Sequence, residues 1–219
     1  MNNKINLDSR LLMCAEFVRK DAKLADIGTD HAYLPLWLCL GGKCPSAIAA
    51  DINPEPLCRG EAAIKAAGAE NLVKTRLSDG LKKINCDEAN DFVIAGMGGE
   101  LIAKILDECS YSKNPEKHFI LQPMTRSEVL IKYLCENGFE ILKQDCCIVS
   151  NKCYTVLLTS YTGKDFCYDE IFYYIGKLDS KSKESHRKFI ENHISRLEKQ
   201  ARGNTHYKEI ADRLRETIV

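Results

Sequence analysis

The spacing of apolar residues changes period several times along the chain, and each change predicts an element. Leu11, Leu12, Ala15 and Val18 recur at helical spacing behind Asp8 and Ser9, which predicts a capped helix from about Asp8 to Lys20. The unbroken run Leu24-Ala25-Asp26-Ile27 reads as a buried strand, and after Gly28 a turn feeds a helix from His31 to Leu40, with Pro35 in its first turn and Gly41-Gly42 at its end. Short apolar runs at 46–50, 91–96 and 118–121 predict further strands, and Val73 to Leu77 reads as another. Helical spans at 54–67, 100–109 and 127–136 accompany them. Segments 139–142, 147–149 and 153–160 read as two closing strands around a polar Ser150-Asn151-Lys152 turn. About seven strands, with helices alternating over the first five, predict an α/β, doubly wound, Rossmann-like sheet ending in a hairpin. In such a sheet a ligand sits at the carboxyl ends of the strands.

Beyond Gly163 the texture is different. Ile171, Ile175 and Leu178, then Ile190, Ile194, Leu197 and Ala201, then Tyr207, Ile210, Leu214 and Ile218 step by three and four, with a break at Gly203-Asn204. This predicts a C-terminal helical, coiled-coil-like hairpin over 164–219, appended to a domain over 1–163. Lys181, Lys183, Arg187, Lys188, Arg196, Lys199 and Arg202 lie along one of its helices, where they serve either a solvated face or contacts to RNA phosphates.

Composition narrows the class. The chain has 219 residues with 31 basic and 31 acidic side chains, so no global field draws it to nucleic acid or membrane, and an anionic partner must be held by a local patch. Eleven cysteines are an odd number in a chain of this size, without a signal peptide, which fits reduced thiols in a cytoplasmic protein better than a disulfide framework. No Cys-x-x-Cys pair is present, and Cys146-Cys147 with Cys153 lacks zinc spacing, so no metal is expected. No apolar run is long enough to span a bilayer, and no membrane partner is expected.

The candidate chemistry gathers after the strands. Gly28 opens a strand-loop-helix junction in which backbone amides can face a ligand. Asp30 stands where a dinucleotide loop carries glycine, and a pyrophosphate there meets like charge, which disfavours a dehydrogenase. A cation is welcome instead. Asp26, two residues before Gly28, matches the acid-x-glycine opening of loops that bind S-adenosylmethionine. Asp51 lies 23 positions after Gly28, the separation at which a second strand offers a carboxylate to ribose hydroxyls; a turn-capping role is its alternative. Ile52 beside it, Asp79-Gly80 after the third strand and Gly96-Met97 in the glycine-rich stretch after the fourth complete the candidate cofactor-binding set.

The opening motif with its Tyr33-Leu34-Pro35 extension, the run Ile94-Ala95-Gly96-Met97-Gly98-Gly99, the strand end Ile120-Leu121-Gln122-Pro123 and the helical tail together resemble one bacterial family. It is the S-adenosylmethionine-dependent tRNA (adenine-N1)-methyltransferases acting at position 22, in the D-arm region. The resemblance implies a methyltransferase with tRNA as partner. It casts Asp30 and Tyr33 as catalytic candidates: Asp30 to accept from the adenine N6 or to hold the cofactor ammonium, Tyr33 to stack on the base or to pack in the core. Tyr33, Gln122, Pro123, Arg10 and Arg126 are the candidate substrate-binding residues, and His31 is expected to shape the loop. A methyltransferase of another nucleobase or a small molecule, and a non-catalytic RNA-binding protein on the same fold, stand as the other readings. The expected state is a monomer or weak homodimer.

Overall fold

The unbroken apolar runs become the inner strands of one sheet because they are covered on both faces. In the computed structural model, which describes residues 5–164 and 166–218, the strands are β1 (Leu24–Ile27), β2 (Ala47–Asp51), β3 (Val73–Leu77), β4 (Asp91–Gly98), β5 (His118–Thr125), β6 (Phe139–Val149) and β7 (Lys152–Tyr161). They form a seven-stranded sheet in the order β3-β2-β1-β4-β5-β7-β6. β1 to β5 are parallel, and β7 pairs antiparallel with both β5 and β6. Successive residues face opposite sides. Leu24, Ala49, Val93 and Ile120 pack under α1 (Ser9–Phe17), α2 (Tyr33–Leu40) and α3 (Pro54–Ala66). Ile27, Phe92, Ile94, Phe119 and Leu121 pack under α4 (Gly99–Asp107) and α5 (Ser127–Glu136). This is the expected doubly wound, Rossmann-like sheet.

Several elements differ from expectation, each for a local reason. No helix joins β3 to β4. The segment 78–90 instead buries Leu81, Ile84 and Ala89 where a helix would pack, and Tyr111 Oη donates to the Ile84 carbonyl at 2.8 Å. The glycine-rich stretch is not a free loop, because β4 runs on through Gly98 and pairs with Pro123 and Thr125 of β5 after irregularities around Met97. β6 is one strand rather than two pieces. A register shift between Ile141 and Lys143 turns Leu142 outward, which breaks the sequence pattern while the ladder continues. Ser150 and Asn151 both take positive φ, 48° and 64°, as a tight two-residue hairpin loop requires. Six of the eleven cysteines are buried, and all are free thiols.

The tail consists of α6 (Glu170–Ile175), α7 (Glu184–Gln200) and α8 (Thr205–Glu216). Ile190, Ile194 and Leu197 of α7 meet Ile210, Ala211 and Leu214 of α8 in a small core of their own, the predicted hairpin. The other side of α7 docks on β6. Phe189 and Leu178 pack with Cys146, and the buried His186 Nε2 lies 2.8 Å from Asp145 Oδ1. Among the described residues no helix is long and apolar enough to cross a membrane, and no group of three or more His, Cys, Asp or Glu side chains is placed to hold a metal ion.

Candidate active site

The chain leaves β1 for β2 and β3 on one side and returns through β4 and β5 on the other, so a crevice opens at the carboxyl ends of β1 and β4. The candidate residues converge on this edge. Gly28 and Thr29 both donate backbone N–H to the Ala50 carbonyl, at 2.8 and 2.9 Å, which folds the loop tightly over β2. Gly28 takes φ +78°, and a Cβ there would lie 2.2 Å from Met97 Cε. The two loops are thus in direct contact across the crevice; the Met97 methyl can swing aside, so it is the left-handed backbone at this position that favours glycine.

Asp26 is buried and makes no ion pair among the described residues. Burial pushes its carboxyl up to about 6; the neighbouring Thr29 hydroxyl and the Arg10 charge pull it back, and the Asp51 charge adds to the rise. The Thr29 oxygen, also buried, makes no well-formed hydrogen bond. These two under-partnered groups beside a glycine loop suit a cationic ligand, the chemical character of the ammonium and sulfonium of S-adenosylmethionine.

Asp51 Oδ1 accepts from the Asn53 amide at 2.7 Å, so the turn-capping role is real and uses one of its two oxygens. Ile52 is 59% exposed and offers an apolar surface beside it. Asp79 is exposed and ion-paired with Lys82 at 2.6 Å, whose hydrogen bond lowers its pKa. Gly80 is used against α4, since a Cβ there would come within 3.1 Å of Ile105 Cγ1.

Asp30 is solvent-exposed as expected, but it has a partner in the protein. Arg59 of α3 reaches it at 3.2 Å and also holds Glu55 at 2.8 Å. His31 and Ala32 follow with φ of 60° and 53°, two consecutive left-handed residues without glycine, a strained turn of the kind that clusters at functional sites. α3 presses on this turn at Gly60, whose missing Cβ would lie 3.4 Å from Ala32 Cβ. Arg59 was not singled out from the sequence; the glycine inside its helix is the signal that α3 approaches another backbone there. Tyr33 opens α2, is 42% exposed and stacks on His31 with ring centroids 5.1 Å apart and planes 12° apart. It is not a core residue.

Gln122 overturns its expected place at the base. It is fully buried, its Oε1 accepts from Arg10 at 2.8 Å and from the Gly96 amide at 3.0 Å, and its Nε2 donates to the Pro123 carbonyl at 2.9 Å. It therefore ties α1, β4 and β5 together behind the crevice. Pro123 is buried too, and Met124, 44% exposed, is the side chain that β5 presents at the edge. Gly99 serves chain packing, because a Cβ there would meet the Arg126 carbonyl oxygen at 2.2 Å. Arg126 itself takes φ 55° at the start of α5 and pairs with Glu100 and Glu128 at 3.3 and 3.4 Å.

Comparison with known proteins accords with this geometry. Residues 7–157 match the family described as methyltransferase domain. Over 97% of this chain and 95% of its own length, the Bacillus subtilis tRNA (adenine(22)-N(1))-methyltransferase is 31% identical. The chain belongs to this methyltransferase family. The crystal structure of the B. subtilis m1A22 tRNA methyltransferase TrmK superposes with a TM-score of 0.87 at 27% identity, covering 99% of this chain and 100% of that one. A Streptococcus pneumoniae relative crystallised with S-adenosyl-L-methionine superposes with a TM-score of 0.86 at 29% identity, covering 98% of this chain and 100% of that one. Within the methyltransferase family, then, full-length relatives share both lobes of this fold, the sheet and the helical tail.

Proposed function

We propose that this protein transfers the methyl group of S-adenosylmethionine to N1 of the adenine at position 22 of tRNA. The observation that carries the reading is the near full-length match to an enzyme named for that reaction, joined to a crevice whose buried, unpaired Asp26 suits a cationic cofactor. S-adenosylmethionine supplies an electrophilic methyl on a sulfonium centre. Adenine N1 has an in-plane lone pair and carries no proton, so the protein needs no strong base; its work is orientation and exclusion of water.

In this reading Asp26 serves the cofactor's ammonium and the free oxygen of Asp51 its ribose, with Ile52, Gly96 and Met97 bordering it. That leaves Asp30 for the adenine. A carboxylate accepting from N6 enriches N1 and offsets the positive charge that develops on the ring. Tyr33, backed by His31, is placed to stack on a base drawn out of its helix. Residues 164–219 form an RNA-contacting appendage on the catalytic unit 1–163, and a cytoplasmic location follows from the tRNA substrate. The test is to incubate the protein with labelled S-adenosylmethionine and unmodified tRNA, digest the RNA and identify the nucleoside. 1-Methyladenosine at position 22 is expected; label in another nucleoside, or none, overturns the reading.

A further inference from the structure

α2 breaks the rule for surface helices. It contains no charged residue, and its outward sector carries large apolar side chains where polar ones are usual. Tyr33 is 42%, Trp37 37% and Leu40 50% exposed. At roughly 100° per residue these positions fall within a sector of about 60°, and Tyr33 and Trp37 are about 6 Å apart along the axis. We propose that this face is a stacking ledge for unpaired nucleobases flanking the methylated adenine.

The ledge is continuous with the crevice, which argues for an RNA occupant. It begins at Tyr33, whose ring already stacks on His31 beside Asp30, and continues one turn outward to Trp37. The Arg59 guanidinium, 39% exposed, stands at the start of the ledge between Asp30 at 3.2 Å and Glu55 at 2.8 Å, a planar cation whose charge these carboxylates already balance, so the ledge would hold bases by stacking rather than by phosphate attraction. Aromatic faces in series beside a guanidinium are the chemistry of single-stranded nucleic acid binding. An enzyme that draws a base from a paired arm deprives its neighbours of a stacking partner, and Trp37 would replace it. A lipid surface would call for lysines and arginines along the helix, and α2 has none.

The inference rests on the tRNA reading, and the experiment separates the two. Trp37 is the one tryptophan of the chain, so emission excited on the red edge of absorption, beyond the tyrosine band, reports on the ledge alone. Titrating the full-length protein with unmodified tRNA should quench this emission and protect it from acrylamide, whereas S-adenosylmethionine by itself should do neither. Trp37→Ala should raise KM for tRNA about tenfold, Trp37→Phe should restore most of that loss, and both should bind S-adenosylmethionine as the parent does. Unquenched emission with active adenine methylation overturns the ledge and leaves the methyltransferase reading standing. So does an unchanged KM in Trp37→Ala together with a shift from dimer to monomer in sedimentation, which would give the face to a second copy of the chain. Absence of adenine methylation in the parent protein removes the reading on which the ledge depends.

Discussion

Two carboxylates on the same face of neighbouring strands show how one sheet supports both stability and chemistry. Asp91 starts β4 opposite Leu24, and Asp26 lies two registers further along, opposite Val93. Asp91 has no exposed surface and is saturated by Arg19, whose backbone N–H reaches it at 2.7 Å and whose Nε and Nη2 reach it at 2.8 and 2.5 Å. Asp26 is buried almost as deeply and has no ion-pair partner among the described residues, and burial pushes its carboxyl up to about 6. Towards the amino end of this pair Asp91 is satisfied within the protein, whereas towards the carboxyl end Asp26 is left without an ion pair among the described residues. A buried carboxylate without a partner costs stability, and a site tolerates it where binding offsets the cost.

Substitutions at the two ends should therefore separate function from stability. The largest effect is expected from Asp30→Ala, which should lower kcat/KM for tRNA roughly a hundredfold or more while the unfolding midpoint stays close to the parent's. Activity within a few-fold of the parent would show that this carboxylate does not serve the adenine, and a parallel loss of cofactor affinity would move it to the ammonium. At the other end, Arg19→Met leaves Asp91 buried without its guanidinium. Urea denaturation should show a loss of about 3 kcal/mol, with cofactor affinity of the folded protein unchanged.

Asp26→Asn should do the reverse of Arg19→Met, weakening S-adenosylmethionine binding by about 1.5 to 3 kcal/mol in calorimetry without lowering stability. The pH dependence sharpens this. Between about pH 4 and 6 the folded state holds a proton that the unfolded chain has released, so the ligand-free protein should lose about 2 to 3 kcal/mol as pH rises through that window. The Asn variant lacks this slope. Affinity for the cationic cofactor should rise through the same window in the parent and stay flat in the variant.

The smallest effect concerns the tail. Lys183, Arg187 and Arg196 are held by Asp145, Glu191 and Glu128, at 2.5, 3.1 and 3.0 Å. Lys188, Lys199 and Arg202 make no ion pair among the described residues and are the better candidates for phosphates. Replacing each with alanine should reduce the salt slope of log tRNA affinity by up to about 0.9. An unchanged slope for all three would remove these three cations from the RNA interface.

Much of this was legible in the residue pattern because apolar period follows directly from whether an element is covered on one face or two. The runs at Leu24, Val73 and His118, the helix over Ser127–Glu136 and the hairpin of α7 and α8 were all readable in this way. The acid and glycine spacing around Gly28 likewise limited the ligand to one without phosphate at that loop. What the pattern did not contain were partners supplied from distant positions. Gln122 was expected at the base and is instead fastened to Arg10, 112 residues away, and Asp30 meets Arg59 from another helix. β6 read as two fragments because a bulge shifts the alternation without breaking the ladder. Sequence by itself determined the elements, their layering and the character of the cofactor loop, since those depend on local conformation and on burial. Which carboxylate is satisfied and which is left for a ligand depends on what the other strands and helices bring within 3 to 4 Å, and only the tertiary structure decided that.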